Sequence, residues 1–211
     1  MKSIATLILI SALLFAGCVT TVVSTRNPSS AQYDKFQIVA DDFANRASVS
    51  KLTTGAIPLS EASKRFSLFR GGPFYSFQEG KSYFRTIALP ASSPGMLLEI
   101  RSYYSHDFPT TLFVPALLFL DSAGGTIEKR PTPPFKIVNG LGEHIRLAER
   151  IPAGASFAVI YTTPERVKER MIFMTYSMTG VVPTPSFATH DTGFGGHYEG
   201  FLKVSLGEKP N

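Results

Sequence analysis

The chain has 211 residues, 44% of them apolar, and its 21 Lys and Arg against 16 Asp and Glu give a formal net charge of +5. That is enough to bury one sizeable core, and a basic excess this mild and this evenly spread excludes a nucleic-acid partner, which needs clustered Lys and Arg. A single cysteine, Cys18, excludes an internal disulfide.

The first segment reads as an export signal. Met1-Lys2-Ser3 is followed by an apolar run over residues 4–15 and then by Ala16-Gly17-Cys18. A positive start, a short apolar stretch and small residues before a cleavage point make a secretory signal peptide, and the run is well short of the ~20 residues of a membrane-spanning helix. Leu14-Phe15-Ala16-Gly17-Cys18 resembles the bacterial lipobox. The resemblance implies a lipoprotein signal over residues 1–17, acylation (palmitate) of Cys18 and a membrane-lipid partner through that anchor. With Val19 rather than Asp next in line, it also implies the periplasmic face of a bacterial outer membrane. A plain cleaved signal with an incidental cysteine is the other reading. About 193 residues then remain, carrying 20 basic and 16 acidic side chains. This net +4 supports at most a weak attraction to anionic lipid or acidic glycan surfaces.

Residues 18–32, rich in Thr, Val and Ser and broken by Asn27-Pro28-Ser29-Ser30, read as the lipidated cysteine and a flexible tether. A single domain is expected over residues 33–211. It starts with an amphipathic helix over residues 33–46, where Phe36, Val39, Ala40 and Phe43 recur at helical spacing for packing on the domain. From Phe66 the period changes to strands. Residues 74–77 and 83–89 form a hairpin around Gln78-Glu79-Gly80-Lys81, and residues 96–103 alternate Leu98 and Ile100 with Glu99 and Arg101.

Residues 116–120 are apolar throughout, which demands cover on both faces; Pro115 marks the entry and Asp121-Ser122-Ala123-Gly124-Gly125 the closing turn. A buried helix is the alternative for this segment. Strands at residues 126–129, 135–138 and 144–151 follow, and residues 157–161, again apolar on both sides, are expected beside 116–120 in mid-sheet. Thr162 and Glu165 fit a capping box for a helix running to Met171 or Met174. Residues 179–196 make a Gly/Pro-rich excursion, and residues 200–206 a last strand. With 15 Pro, 17 Gly and 17 Phe punctuating short strands, the pattern predicts a mainly β, two-layer, jelly-roll-like β-sandwich with one or two short helices.

Two stretches, Leu112-Phe113-Val114-Pro115-Ala116-Leu117-Leu118-Phe119-Leu120-Asp121 and Phe157-Ala158-Val159-Ile160-Tyr161-Thr162-Thr163-Pro164-Glu165, resemble the maltose operon periplasmic protein (MalM) family. The closing Glu199-Gly200-Phe201-Leu202-Lys203-Val204-Ser205-Leu206 has the same shape at the expected distance. The similarity is best over residues 112–206 and fainter over 36–103. It implies a periplasm-facing β-domain linked to maltodextrin uptake, with no catalytic residue to carry over. The lipobox and the short C-terminal end depart from the name-giving member.

For chemistry, His190, Asp191, His197 and Glu199 are the residue types that hold zinc, but their spacing fits no known motif and a turn explains His190-Asp191 equally. Gly193-Phe194-Gly195-Gly196 offers backbone N–H groups that an anion or merely a flexible loop would use. Ser156 in Gly154-Ala155-Ser156-Phe157 lacks the second glycine of a nucleophile elbow. No cofactor is expected. Without any Trp, the candidate saccharide platforms are Tyr75, Tyr103, Tyr104 and Phe108, against a packing role for the same rings. These features lead to a non-catalytic lipoprotein binding saccharide or an outer-membrane protein. A structural accessory of an outer-membrane complex and a hydrolase are the alternatives.

Overall fold

The computed structural model describes residues 18–25, 30–104, 111–130, 135–138, 144–168, 170–177 and 193–207. Residues 1–17, expected to be an export signal, lie outside the described residues.

Two layers, antiparallel apart from the short parallel pair β2–β5, face each other as a β-sandwich. The first joins β3 (Phe66–Leu68), β6 (Leu97–Tyr103), β10 (Phe135–Val138), β11 (His144–Arg150) and β15 (Gly200–Gly207) in the order β10-β11-β6-β15-β3. The second joins β2 (Ile57–Pro58), β5 (Gly80–Ala88), β8 (Ala116–Leu120), β9 (Thr126–Arg130) and β12 (Phe157–Tyr161) in the order β2-β5-β12-β8-β9, with β4 (Phe74–Phe77) paired to β5. Alternation along β6 and β15 sends Leu98, Ile100, Leu202 and Val204 inward, against Ile87, Leu117, Phe119, Ala158 and Ile160 of the facing sheet. At one edge Arg130 of β9 reaches across the layers to the buried Glu149 of β11 at 2.9 Å.

The two wholly apolar strands are direct neighbours in mid-sheet, with Phe157 opposite Leu120 and Tyr161 opposite Ala116. Their second faces make a separate core. Leu118, Leu120, Val159 and Tyr161 are covered there by Phe77 of β4, with Val49, Leu52 and Tyr75 packed against the cluster. The Phe77 and Tyr161 rings stack at 4.0 Å.

Helix α1 (Ser30–Asn45) is a turn longer at its start than expected. Val39 and Phe43 pack on Phe74, Tyr83 and Tyr198, whereas Ala40 is exposed. Asp42 accepts a hydrogen bond from the Tyr83 hydroxyl (2.7 Å), and Arg46 donates to the Gly71 and Gly72 carbonyls. Burial raises the Asp42 carboxyl, but Tyr83 and Arg46 outweigh it and hold the group below its ordinary range.

Several expectations are corrected. Residues 18–25 are not slack chain: β1 (Cys18–Thr25) pairs antiparallel with β13 (Arg170–Ser177), which takes the place of the helix expected to run on to Met171 or Met174. These two, with β14 (Gly193–Gly196) and the short β7 (Thr111–Leu112), form an additional four-stranded sheet. A short helix α2 (Leu59–Ala62) joins the two that were read from the sequence. Helix α3 (Pro164–Lys168) is capped by Thr163, whose Oγ1 accepts from the Arg166 N–H (3.4 Å). Thr162 is diverted, its hydroxyl donating to the Val114 carbonyl (2.8 Å).

The β4–β5 hairpin closes on two residues, Gln78 and Glu79, rather than four, because Gly80 enters β5 at φ 136°. A Cβ at Gly80 would lie 2.7 Å from Pro164 Cγ, whereas one at Gly55 (φ 70°) would meet nothing within 4 Å. Gly80→Ala is therefore expected to lower unfolding free energy by about 2 kcal/mol or more, and Gly55→Ala by only about 1 kcal/mol. Urea denaturation of both variants checks the difference, and equal losses would mean that the Pro164 contact yields freely.

Candidate functional site

Because β6 turns Leu98, Ile100 and Ser102 inward, its alternate residues Glu99, Arg101 and Tyr103 stand on the outer face of the sheet. The register then builds rows across three strands. His144 of β11, Tyr103 of β6 and Phe201 of β15 lie opposite one another in the first. Arg146, Arg101 and Lys203 form the second, and Ala148, Glu99 and Ser205 the third. Arg65, just before β3, is seated over both rings of the first row, its guanidinium 4.6 Å from the Tyr103 centroid and 4.7 Å from that of Phe201. Phe201 is 43% exposed, so this aromatic surface is open to solvent.

Glu99 holds the second and third rows together. Its side chain is only 8% exposed beneath Arg101 (2.7 Å) and Arg146 (2.5 Å), which are 40% and 47% exposed. Burial pushes its carboxyl upward, but the hydrogen bonds and charges of the two arginines prevail and hold it below the ordinary 4.5. The Arg101 guanidinium is held above its usual range, chiefly by the hydrogen bond to Glu99.

A second feature lies where β15 begins. Ile38 and Val39 of α1, Phe69 and Arg70 of the β3–β4 connection, and His197 and Glu199 line a cleft of about 410 Å³. His197 is buried; its Nδ1 accepts the Glu199 N–H (3.1 Å), and its backbone N–H donates to the Leu112 carbonyl. One Glu199 carboxylate oxygen accepts from the Arg70 N–H. Ile38 and Phe69, 46% and 54% exposed, form its apolar rim.

The four aromatic candidates do not converge. Tyr103 stands on the open sheet face. Tyr104, next in sequence, is buried in the sandwich core, and Tyr75 packs on Phe77 and Phe84 at 5.1 and 6.5 Å. Phe108 lies outside the described residues, as do His190 and Asp191. His197 and Glu199 do meet, but among the described residues no three His, Cys, Asp or Glu side chains come together as a metal site would require. Cys18 opens β1 opposite Ser177. The sequence reading did not find Arg65, Phe201 or the cationic row. Their signal was the alternation of β6 and β15, visible once the two strands are known to be neighbours.

What fold and face define is a β-sandwich with one outer sheet face carrying rings and cations in register. No family model, no curated protein and no solved structure matches the chain.

The pairing of Glu99 has a pH signature. A carboxyl held lower in the folded than in the unfolded chain stabilises fully above the unfolded value, near 4.5, and loses that contribution as pH falls through the lower folded value. Glu99→Gln is expected to cost about 1 kcal/mol at neutral pH, a modest figure because the arginines face solvent, and to make acid unfolding shallower. Denaturant titrations at neutral pH and near pH 3 check both, and an unchanged acid limb would remove Glu99 as a contributor.

Proposed function

We propose that this chain is a non-catalytic lipoprotein of the MalM type, anchored by acylated Cys18 at the periplasmic face of the outer membrane. Its sandwich binds saccharide on the outer face of the β6 sheet, in connection with the uptake of maltodextrin-like carbohydrate. The single observation carrying the binding site is Arg65 seated over the neighbouring rings of Tyr103 and Phe201 on an exposed, rigid sheet. Flat aromatic surface stacks on the C–H faces of sugars, and a guanidinium resting on it still offers N–H donors to their hydroxyls. The address rests on the lipobox-like Leu14-Phe15-Ala16-Gly17-Cys18, and the family on the resemblance of the 112–121, 157–165 and 199–206 stretches. In this reading lipid and fold are joined by β1, a paired strand, so the anchor leaves the domain little slack.

Labelling with a palmitate analogue in cells is expected to tag the full-length protein, and Cys18→Ala to abolish the tag. Calorimetric titration of the full-length protein in mild detergent with maltodextrins is expected to show saturable binding that Tyr103→Ala weakens about tenfold, or about 1.4 kcal/mol. An untagged protein refutes the address, and binding indifferent to Tyr103 refutes the site.

One observation favours a second reading, a structural accessory of an outer-membrane protein complex. Ile38 and Phe69 expose apolar surface side by side at the rim of the His197 cleft. Crosslinking in cells from position 69 that captures one dominant protein partner, without glycan affinity, would select it.

A further inference from the structure

The outer face of the β6 sheet sets like charges directly opposite each other, a placement that weakens a sheet. Arg146 faces Arg101, and Arg101 faces Lys203. Arg65 stands over the adjoining aromatic row, and Arg150 is exposed at the far end of β11. Against these cations the rows contain one carboxylate, Glu99, already shared by Arg101 and Arg146. Among the described residues no carboxylate pairs with Lys203 or Arg65. Arg101, Arg146, Lys203 and Arg65 are thus gathered on the one sheet face that also carries exposed rings.

Packing does not account for this row, since neutral polar residues would face water at no electrostatic cost. A bound polyanion would account for it. We propose that the saccharide bound on this face is acidic: a chain of uronate-type sugars whose carboxylates meet Arg101, Arg146 and Lys203 while its rings lie along Tyr103 and Phe201. Adjacent strand backbones lie about 4.8 Å apart, so the cations spring from positions spaced much like successive rings in a pyranose chain. Guanidinium N–H groups match carboxylates in pairs, and the neighbouring aromatic row supplies the sugar contact that a bare charged surface lacks. This inference rests on the saccharide reading of the same face and replaces its neutral, maltodextrin-like glycan with an acidic one.

The test is titration of the full-length protein in mild detergent with three probes: oligogalacturonate, maltodextrin of equal length, and vesicles containing phosphatidylglycerol. Lys203→Gln is the main variant, because Lys203 has no carboxylate partner to orphan. Tyr103→Ala reports on stacking, and thermal melting confirms that both variants fold. Oligogalacturonate is expected to bind at least about tenfold tighter than maltodextrin and to weaken as ionic strength rises from about 0.05 to about 0.3 M. Lys203→Gln is expected to cost about fivefold for oligogalacturonate and nothing for maltodextrin, with Tyr103→Ala weakening both. Equal affinity for the two glycans, still dependent on Tyr103, would overturn the acidic class and leave the saccharide reading standing. Binding to neither glycan would remove both, and vesicle binding without oligogalacturonate binding would assign the face to anionic lipid instead.

Discussion

Two adjacent strands with no polar side to show to water constrain this fold more than any other feature. Fully apolar β8 and β12 pair along their whole length, so the sheet they centre must be covered twice. One cover is the β6 sheet. The other is improvised from the β4–β5 hairpin and the segment after α1, which supply Phe77, Tyr75, Val49 and Leu52. Helix α1 is drawn into place by the same requirement: Val39 and Phe43 close the ring cluster of Phe74, Tyr83 and Tyr198 beside the hairpin. Loss of either cover would leave half of the most apolar surface in the chain in water, at roughly 25 cal/mol per Å².

The stretches singled out in the sequence for a family resemblance are scaffold. Pro115 breaks the path between β7 and β8, and the Phe113 and Val114 carbonyls there are claimed by the Ser102 and Thr162 hydroxyls. Asp121 accepts hydrogen bonds from the Ala123 and Gly125 N–H groups and so shapes the turn after β8. Gly200 lets β15 approach Phe113 so closely that a Cβ would lie 2.5 Å from that residue's own Cβ. The three stretches compared with the MalM family therefore meet around residues 113–116. Their chemistry is that of holding a crossing together.

How much was legible follows from which forces are local. Strand β12, the strand character of 116–120 and their adjacency were readable, because an unbroken apolar run fixes burial without knowledge of partners. Helix α1 was readable from the 3.6-residue spacing of Val39 and Phe43, although Ala40, too small to reveal its side, proved exposed. Strand β13 was not readable: a helix begun at Pro164 carries no local instruction to stop at Lys168, and its strand is selected by pairing with β1, some 150 residues away in the chain. The site was half legible. Tyr103 could be named, but Tyr104 could not be separated from it, since a one-residue step on a strand exchanges the solvent for the core. Phe201, Arg65 and the cationic row exist only through register, which no single segment specifies.

That division of labour also explains why the proposed binding surface falls where it does. The β8–β12 sheet has no face to offer, since both of its sides are spent on cores. In the β6 sheet only one side is needed for the sandwich, and its other side is free to carry residues that do nothing for folding. Opposed arginines and a lysine can be tolerated there because Glu99, sunk beneath two of them, offsets part of their repulsion, and because Leu98 and Ile100 anchor the same strand from below. The rings of Tyr103 and Phe201 are held by strands rather than loops, so little ordering remains to oppose a ligand that docks on them. A face that costs the sheet some stability, is rigid, and has charges unmatched among the described residues is where an external anion has the most to contribute.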